Sequence, residues 1–420
     1  MNAITSHTLG CGARLLVEPM AGVRSASVCC LVPVGLISEP AERLGATGVL
    51  AEMLMRGAGD QDARAQADAF DAAGANRHID AGGRGVMLRI TTLGDRLDEA
   101  LTLLAETLLR PRLTADTFEP ARLLATQALA SLADDPRERA VIAARSRHFP
   151  VPFNRSSYGT AEGLASLAVE DIAALWSSRA LPVGTIIGVA GAVDPERVRE
   201  ALDRGLDGWA GEAAAIAPAG AASHGVGHTP DDSNQVQIVV IDDAPPERDE
   251  DAAMVEKLAA SVLSGGMSGR LFTEVREKRG LCYAVSAGYR GDDRFGVISS
   301  YVGTTSERAQ EALDVLLAEL DRIRTGEGAV TEDEFARAVV GMKSNVVFHG
   351  ESAGARAGAL VGDQLKLGRA RTLEEITQAI DAVTLGGLNS ALAGSGGRAR
   401  TVQTLGPTSA EPGSAAGGSS

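Results

Sequence analysis

A chain that repeats itself halfway along is constrained to fold as two copies of one unit, and this chain repeats in letters as well as in pattern. Arg96, Glu99, Ala100, Leu101 and Leu104 recur as Arg308, Glu311, Ala312, Leu313 and Leu316, a constant offset of 212 in 420 residues. The order of elements recurs too. In the first half, 13–18 and 24–34 read as strands, 44–56 and 63–73 as helices, and 76–80 and 86–91 as a hairpin separated by Gly82, Gly83 and Gly85. Helical stretches follow at 97–109, 116–132, 138–147 and 159–178, then a strong strand at 184–190. In the second half, 235–241 reads as a strand, 252–263 as a helix, 283–289 and 297–302 as a strand pair, and 306–322 as a helix. The expected fold class is α+β: two homologous halves, each an antiparallel-rich β-sheet with helices packed on one face.

The length, more than one core usually serves, agrees with two domains. Residues 1–207 form the first and 234–406 the second. Between them, 208–233 lies in an Ala-, Gly- and Pro-rich stretch without sustained periodicity and reads as a linker. Residues 407–420 are Gly, Ser, Ala and Pro with almost no apolar bulk, the composition of a disordered tail. A formal net charge of -15 without a Lys/Arg-rich run argues against nucleic acid or an anionic membrane surface as partner. Cys11, Cys29, Cys30 and Cys282 show no metal-type spacing and read as small buried hydrophobes. With no leader-like start and no apolar run of membrane-spanning length, the expected location is cytoplasmic.

One stretch carries chemistry. From Gly265 to Tyr289 a helix breaks at Gly265-Gly266, a short helix restarts at 271–275, and a strand begins after Gly280. Arg276 leaves the end of the short helix and Tyr283 the new strand, so the connection at Gly280 can bring a guanidinium and a phenol into one cleft. Two such donors aimed at one point are what a carbonyl oxygen becoming an oxyanion needs. From these residues alone a second role stays equally open, Arg276 solvating a helix end and Tyr283 packing beside it.

This segment closely resembles the second-half signature of the M16 (pitrilysin and processing-peptidase) family of zinc metallopeptidases. The resemblance runs from Glu18-Pro19 through Gly35-Leu36-Ile37-Ser38-Glu39-Pro40 to Asp381-Ala382-Val383-Thr384. It implies two clam-shell halves, and it gives Arg276 and Tyr283 the role of holding the substrate carbonyl. Active members carry His-x-x-Glu-His on a first-half helix, where two imidazoles and a distant Glu bind zinc and the intervening Glu is the general base. Gly45 and Met53-Leu54-Met55-Arg56-Gly57 match the flanks of that motif, and in this register it reads Gly48, Val49, Leu50, Ala51 and Glu52. Both imidazoles are gone, alanine stands at the general-base position, and Glu52 alone occupies a ligand position. The distal acid falls near Gln127 to Leu129, where no acid is found. His78 with Asp80 is the one alternative ligand pair near in sequence. His224 and His228, four apart, sit in the linker and not on a helix.

The resemblance therefore implies the non-zinc-binding subunit of a heterodimeric M16B-type peptidase. This chain would hold no cofactor, and a partner bearing His-x-x-Glu-His would carry the zinc and the base. Arg276 and Tyr283 would bind the substrate peptide and stabilise its oxyanion, so the chain alone would be inactive. Two other classes accompany this reading: a structural scaffold, and a non-hydrolytic peptide-binding protein.

Overall fold

The computed structural model describes residues 3–413. In chain order the first half forms β1 (Thr5–Thr8), β2 (Arg14–Pro19), β3 (Ser25–Val32), α1 (Ala46–Leu54), the two-residue pair β4 (Gly57–Ala58) and β5 (Gln61–Asp62), α2 (Ala63–Ala72), β6 (Asn76–Ala81) and β7 (Val86–Leu93). It continues through α3 (Leu97–Leu109), α4 (Ala115–Ser131), α5 (Pro136–His148), α6 (Ala161–Ser166), α7 (Val169–Arg179), β8 (Ile186–Gly191) and α8 (Pro195–Gly205). The second half forms β9 (Gly225–Pro230), β10 (Val236–Ala244), α9 (Glu250–Ser264), a π-helical turn (Phe272–Glu277), β11 (Ala284–Gly291) and β12 (Gly296–Thr304). Helices α10 (Ala309–Arg322), α11 (Glu332–Gly350), α12 (Ala353–Leu367), α13 (Leu373–Ala382) and α14 (Leu385–Ala393) and strand β13 (Arg400–Gly406) complete it.

The duplication is a property of the sheets. One has the order β1-β2-β8-β3-β7-β6 and the other β11-β12-β10-β13-β9. Apart from β1 the second is the first read backwards, β2 answering β9, β8 answering β13, and so on to the hairpins β6–β7 and β11–β12. In each sheet a single pair is parallel, β2 with β8 and β13 with β9, and the remaining pairs are antiparallel. The repeated letters fall on α3 and α10, where Ala100, Leu101 and Leu104 and their counterparts Ala312, Leu313 and Leu316 are all buried.

Two compact units result, and neither is a continuous stretch of chain. The first runs to Ser131 and takes in Val151–Ala219 and Phe348–Thr372; the second is Leu132–Pro150, Gly220–Val347 and Leu373 onward. In the first unit, one sheet face packs Leu15, Val17, Val28, Val32 and Ile187 against α1, α3, α7 and α8, the layer expected from sequence. The other face carries one helix from far along the chain: Ala353, Ala357, Leu360 and Val361 of α12 lie against Leu16, Cys29, Leu31 and Ile186. Gly188 marks the crossing, for a Cβ there would stand 2.5 Å from the Ala357 carbonyl oxygen. The second unit is built alike. Its main core joins Val236, Ile238 and Val240 to α9 and α10, while Ala140 and Ala144 of α5 cover Val239, Ile241 and Leu405 on the opposite face. Strands covered on both sides bury residues of either parity, which is why β3 and β10 read as continuous apolar runs.

Buried polar contacts accompany the two exchanged helices. Arg356 of α12, 2% exposed, donates from Nε to Glu18 Oε2 at 2.8 Å and from Nη2 to the Arg371 carbonyl at 3.1 Å. At the end of α5, the His148 ring has Nδ1 3.0 Å from Thr401 Oγ1 and Nε2 3.1 Å from Asp243 Oδ1.

Several local expectations change. The stretch read as linker contains β9, which pairs with β13 through its backbone despite poor strand-forming residues. The single helix read at 159–178 is two, α6 and α7, parted at Leu167. Of the stretch read as a tail, 407–413 is held in place, with Ala410 buried and the Glu411 carbonyl accepting from Gln310 Nε2 at 2.7 Å; 414–420 lie outside the described residues. Cys29 and Cys30 are core thiols on opposite sheet faces, and burial pushes the Cys29 thiol up to about 11. Among the described residues no helix is long and apolar enough to cross a membrane.

Candidate functional site

The second unit brings Arg276 and Tyr283 together. The helix expected at 271–275 is a π-helical turn, an arrangement found mostly as single turns and frequently at functional sites. Leu271, Val275 and Leu281 anchor it in the core. Gly280, at φ +60°, reverses the chain, its N–H reaching the Arg276 carbonyl at 3.0 Å while the Leu281 N–H reaches that of Val275 at 3.0 Å. A residue with a Cβ resists that left-handed conformation. The reversal is held from β12 and from the residue that precedes α10: Thr304 Oγ1 donates to the Leu281 carbonyl at 2.5 Å, and Arg308 donates to that of Gly280. Arg96, the repeat counterpart of Arg308, donates to the Ala72 carbonyl, likewise four residues before an edge strand.

Tyr283 thus arrives immediately before β11, the edge strand of its sheet, and its ring lies 4.9 Å from the Arg276 guanidinium carbon. The phenol is 81% exposed. The other cations of this turn are neutralised: Lys278 and Arg279 pair with Glu274 at 2.7 and 2.8 Å and hold its carboxyl below the usual range. Among the described residues, neither the Arg276 guanidinium nor the Tyr283 hydroxyl has a hydrogen-bond partner. Chemically this is a cationic fork beside a phenol, with donors open to an incoming oxygen. Sequence reasoning missed Phe272, whose ring lies 4.8 Å from the same guanidinium carbon. Its signal was the spacing of four residues from Arg276 on one turn.

The positions that the resemblance aligns with the metal motif lie on α1 of the first unit. Glu39 caps that helix, its carboxylate accepting from the Gly45 N–H at 3.0 Å and the Thr47 N–H at 2.7 Å; burial pushes its carboxyl up, against the pull of these bonds. Along α1, Val49, Leu50 and Ala51 are buried, Gly48 offers no side chain, and Glu52 faces outward, 3.7 Å from Arg56. On α4, Gln127 and Ala128 are exposed. Asp80 is shared between His78 Nε2, 2.5 Å away, and Arg89. His148 and His224, apart in sequence, meet edge to face at 5.0 Å, and His228 Nδ1 lies 2.8 Å from Thr404 Oγ1. Among the described residues no group of three or more His, Cys, Asp or Glu side chains is placed to hold a metal ion. The residues at the motif positions do not fit zinc, which needs at least three such ligands.

Residues 166–342, which include both Arg276 and Tyr283, match the family model described as the peptidase M16 inactive domain. Over these residues the chain is similar to the M16 peptidase family. It is 28% identical to an uncharacterized zinc protease of Mycobacterium leprae over 394 residues, covering 91% of this chain and 87% of that one. A crystal structure of a peptidase M16 inactive domain from Pseudomonas fluorescens superposes with a TM-score of 0.85 at 20% identity, covering 98% of this chain and 99% of that one. A protease from Helicobacter pylori gives 0.83 at 19% identity, over 96% of this chain and all of that one. These two likenesses are of fold.

Proposed function

We propose that this protein is the zinc-free subunit of a two-chain peptidase, and that it supplies Arg276 and Tyr283 to the substrate peptide. The observation that carries the reading is the unpartnered donor pair, stacked at 4.9 Å beside an edge strand, in a chain whose metal-motif positions hold Gly48, Ala51 and Glu52. An M16 partner bearing His-x-x-Glu-His supplies the zinc and the general base. This chain's residues do the rest: the exposed edge of β11 aligns an extended peptide by backbone pairing, and the guanidinium and phenol donate to its carbonyl oxygen as negative charge develops.

Metal content and peptidase activity, measured on this chain alone, on a His-x-x-Glu-His-bearing subunit alone and on the mixture, test the division of labour. Zinc and full activity are expected only with the partner present. Loss of one oxyanion donor costs about 3 kcal/mol, so Arg276→Ala should lower turnover of the mixture by roughly a hundredfold without unfolding the chain. Normal turnover with Arg276→Ala refutes the assigned role, and stoichiometric zinc with cleavage by this chain alone refutes the whole reading.

A further inference from the structure

We infer that Phe272 is the residue that positions the Arg276 guanidinium, an inference that rests on the reading of Arg276 as a donor to substrate. Arg276 projects from the π-helical turn with no carboxylate or carbonyl to tie it among the described residues. What approaches it is aromatic: the Phe272 ring at 4.8 Å and the Tyr283 ring at 4.9 Å. Among the described residues, two of the four other arginines that lie over rings have a second tie, whereas Arg137 over Tyr301 and Arg145 over Phe149 have no side-chain hydrogen bond or ion pair. Arg77, 4.4 Å from the centre of the Phe70 ring, also donates to the Met55 carbonyl at 3.0 Å, and Arg122, 5.9 Å from that of Phe118, also pairs with Glu119 at 2.9 Å. Among the described residues Arg276 is held by its rings alone.

The two rings are not equivalent supports. Tyr283 is 81% exposed and follows the reversal at Gly280, so little of its surface is packed. Phe272 is half-buried on the same turn as Arg276, between the core residues Leu271 and Val275. A cation is attracted to the face of such a ring, and a guanidinium lying there keeps its in-plane N–H groups free. Those N–H groups are what a carbonyl oxygen takes up. Phe272 thus keeps the fork in place before substrate arrives, and Tyr283 is left free to use its hydroxyl.

The test uses the full chain with 15N-labelled arginine, following the Nε–Hε resonance that disappears in Arg276→Lys. Ring currents should set this resonance apart from those of solvent-exposed arginines. Phe272→Leu and Phe272→Met remove the ring and nearly keep its bulk; both should move the resonance to the exposed-arginine position, and Phe272→Tyr should leave it in place. The backbone amide spectrum reports folding, and Met serves if the Leu variant fails to fold. In the two-chain assay, Phe272→Leu should lower kcat on the order of fivefold with KM little changed, and Phe272→Tyr should restore it. A resonance unmoved by Leu and Met, or moved only by Tyr283→Leu, overturns the inference. Normal turnover with Arg276→Lys instead overturns the reading of the pair, and the spectra still decide the Phe272 contact.

Discussion

Replacing Arg356 by Met should destabilise the first unit selectively and severely. Both partners of the Glu18–Arg356 pair are dry, with side-chain exposures of 4% and 2%, and the pair joins α12 to β2 at 2.7 Å. Met fills most of the volume of the arginine stem but leaves the Glu18 carboxylate buried without its cation. Breaking a buried pair by removing one partner costs about 3 to 5 kcal/mol. In a unit of this size that lowers the melting temperature by roughly 6 to 20 °C. Replacing both residues, Glu18→Leu with Arg356→Met, removes the uncompensated charge and should recover most of the loss. The readout is built into the chain, for its two tryptophans, Trp176 and Trp209, both lie in the first unit. Urea unfolding followed by tryptophan fluorescence therefore reports that unit alone. A loss below about 1 kcal/mol for the single variant, the value of an exposed pair, would refute the argument that α12 is sealed onto this sheet.

Two further variants bear on the same architecture. Gly188→Ala would place a Cβ 2.5 Å from the Ala357 carbonyl oxygen, so α12 must shift; a loss of about 1 to 3 kcal/mol is expected in the same fluorescence assay, where an unchanged midpoint would contradict the crossing. In the second unit, Arg270 binds Glu334 at 2.7 Å and holds its carboxyl down to about 2. Because the folded value lies below the ordinary one, the pair's contribution is complete above about pH 4.3 and is lost as pH falls toward 2. The acid-induced decline of the circular-dichroism transition that tryptophan does not follow should be shallower in Glu334→Gln, and equal slopes would show that the pair does not govern it.

The parts of this molecule legible in its sequence are those that depend on neighbours along the chain. The repeated helix was visible because Ala100, Leu101 and Leu104 face one core and their counterparts face another. The lack of imidazoles at the positions aligned with the metal motif is read from the letters themselves, since Gly48 has no side chain for folding to redirect. The Arg276–Tyr283 contact followed from a helix, a glycine and a strand in quick succession. What escaped depends on partners far away. The apolar positions of α12 say that one side is buried, but nothing in them says that the cover is β3 and β8 of the first unit. Strand β9, with Gly225, Gly227 and Pro230, exists because β13 offers it a backbone edge, and His148 meets His224 only because both pack where β13 begins.

The exchange of α5 and α12 also sets a timetable for synthesis. The last strand of the first sheet ends at Gly191, yet the helix that covers its second face is complete only at Leu367. At ribosomal rates of about 5 to 20 residues per second, that apolar face waits roughly 10 to 35 s for its cover. During that interval α5 is likewise without the sheet it is destined to cover, since β13 (Arg400–Gly406) is made later still. The nascent chain is in that period two unfinished surfaces on one polypeptide, and its yield in a cell depends on whatever keeps them from other chains until residue 406 has emerged.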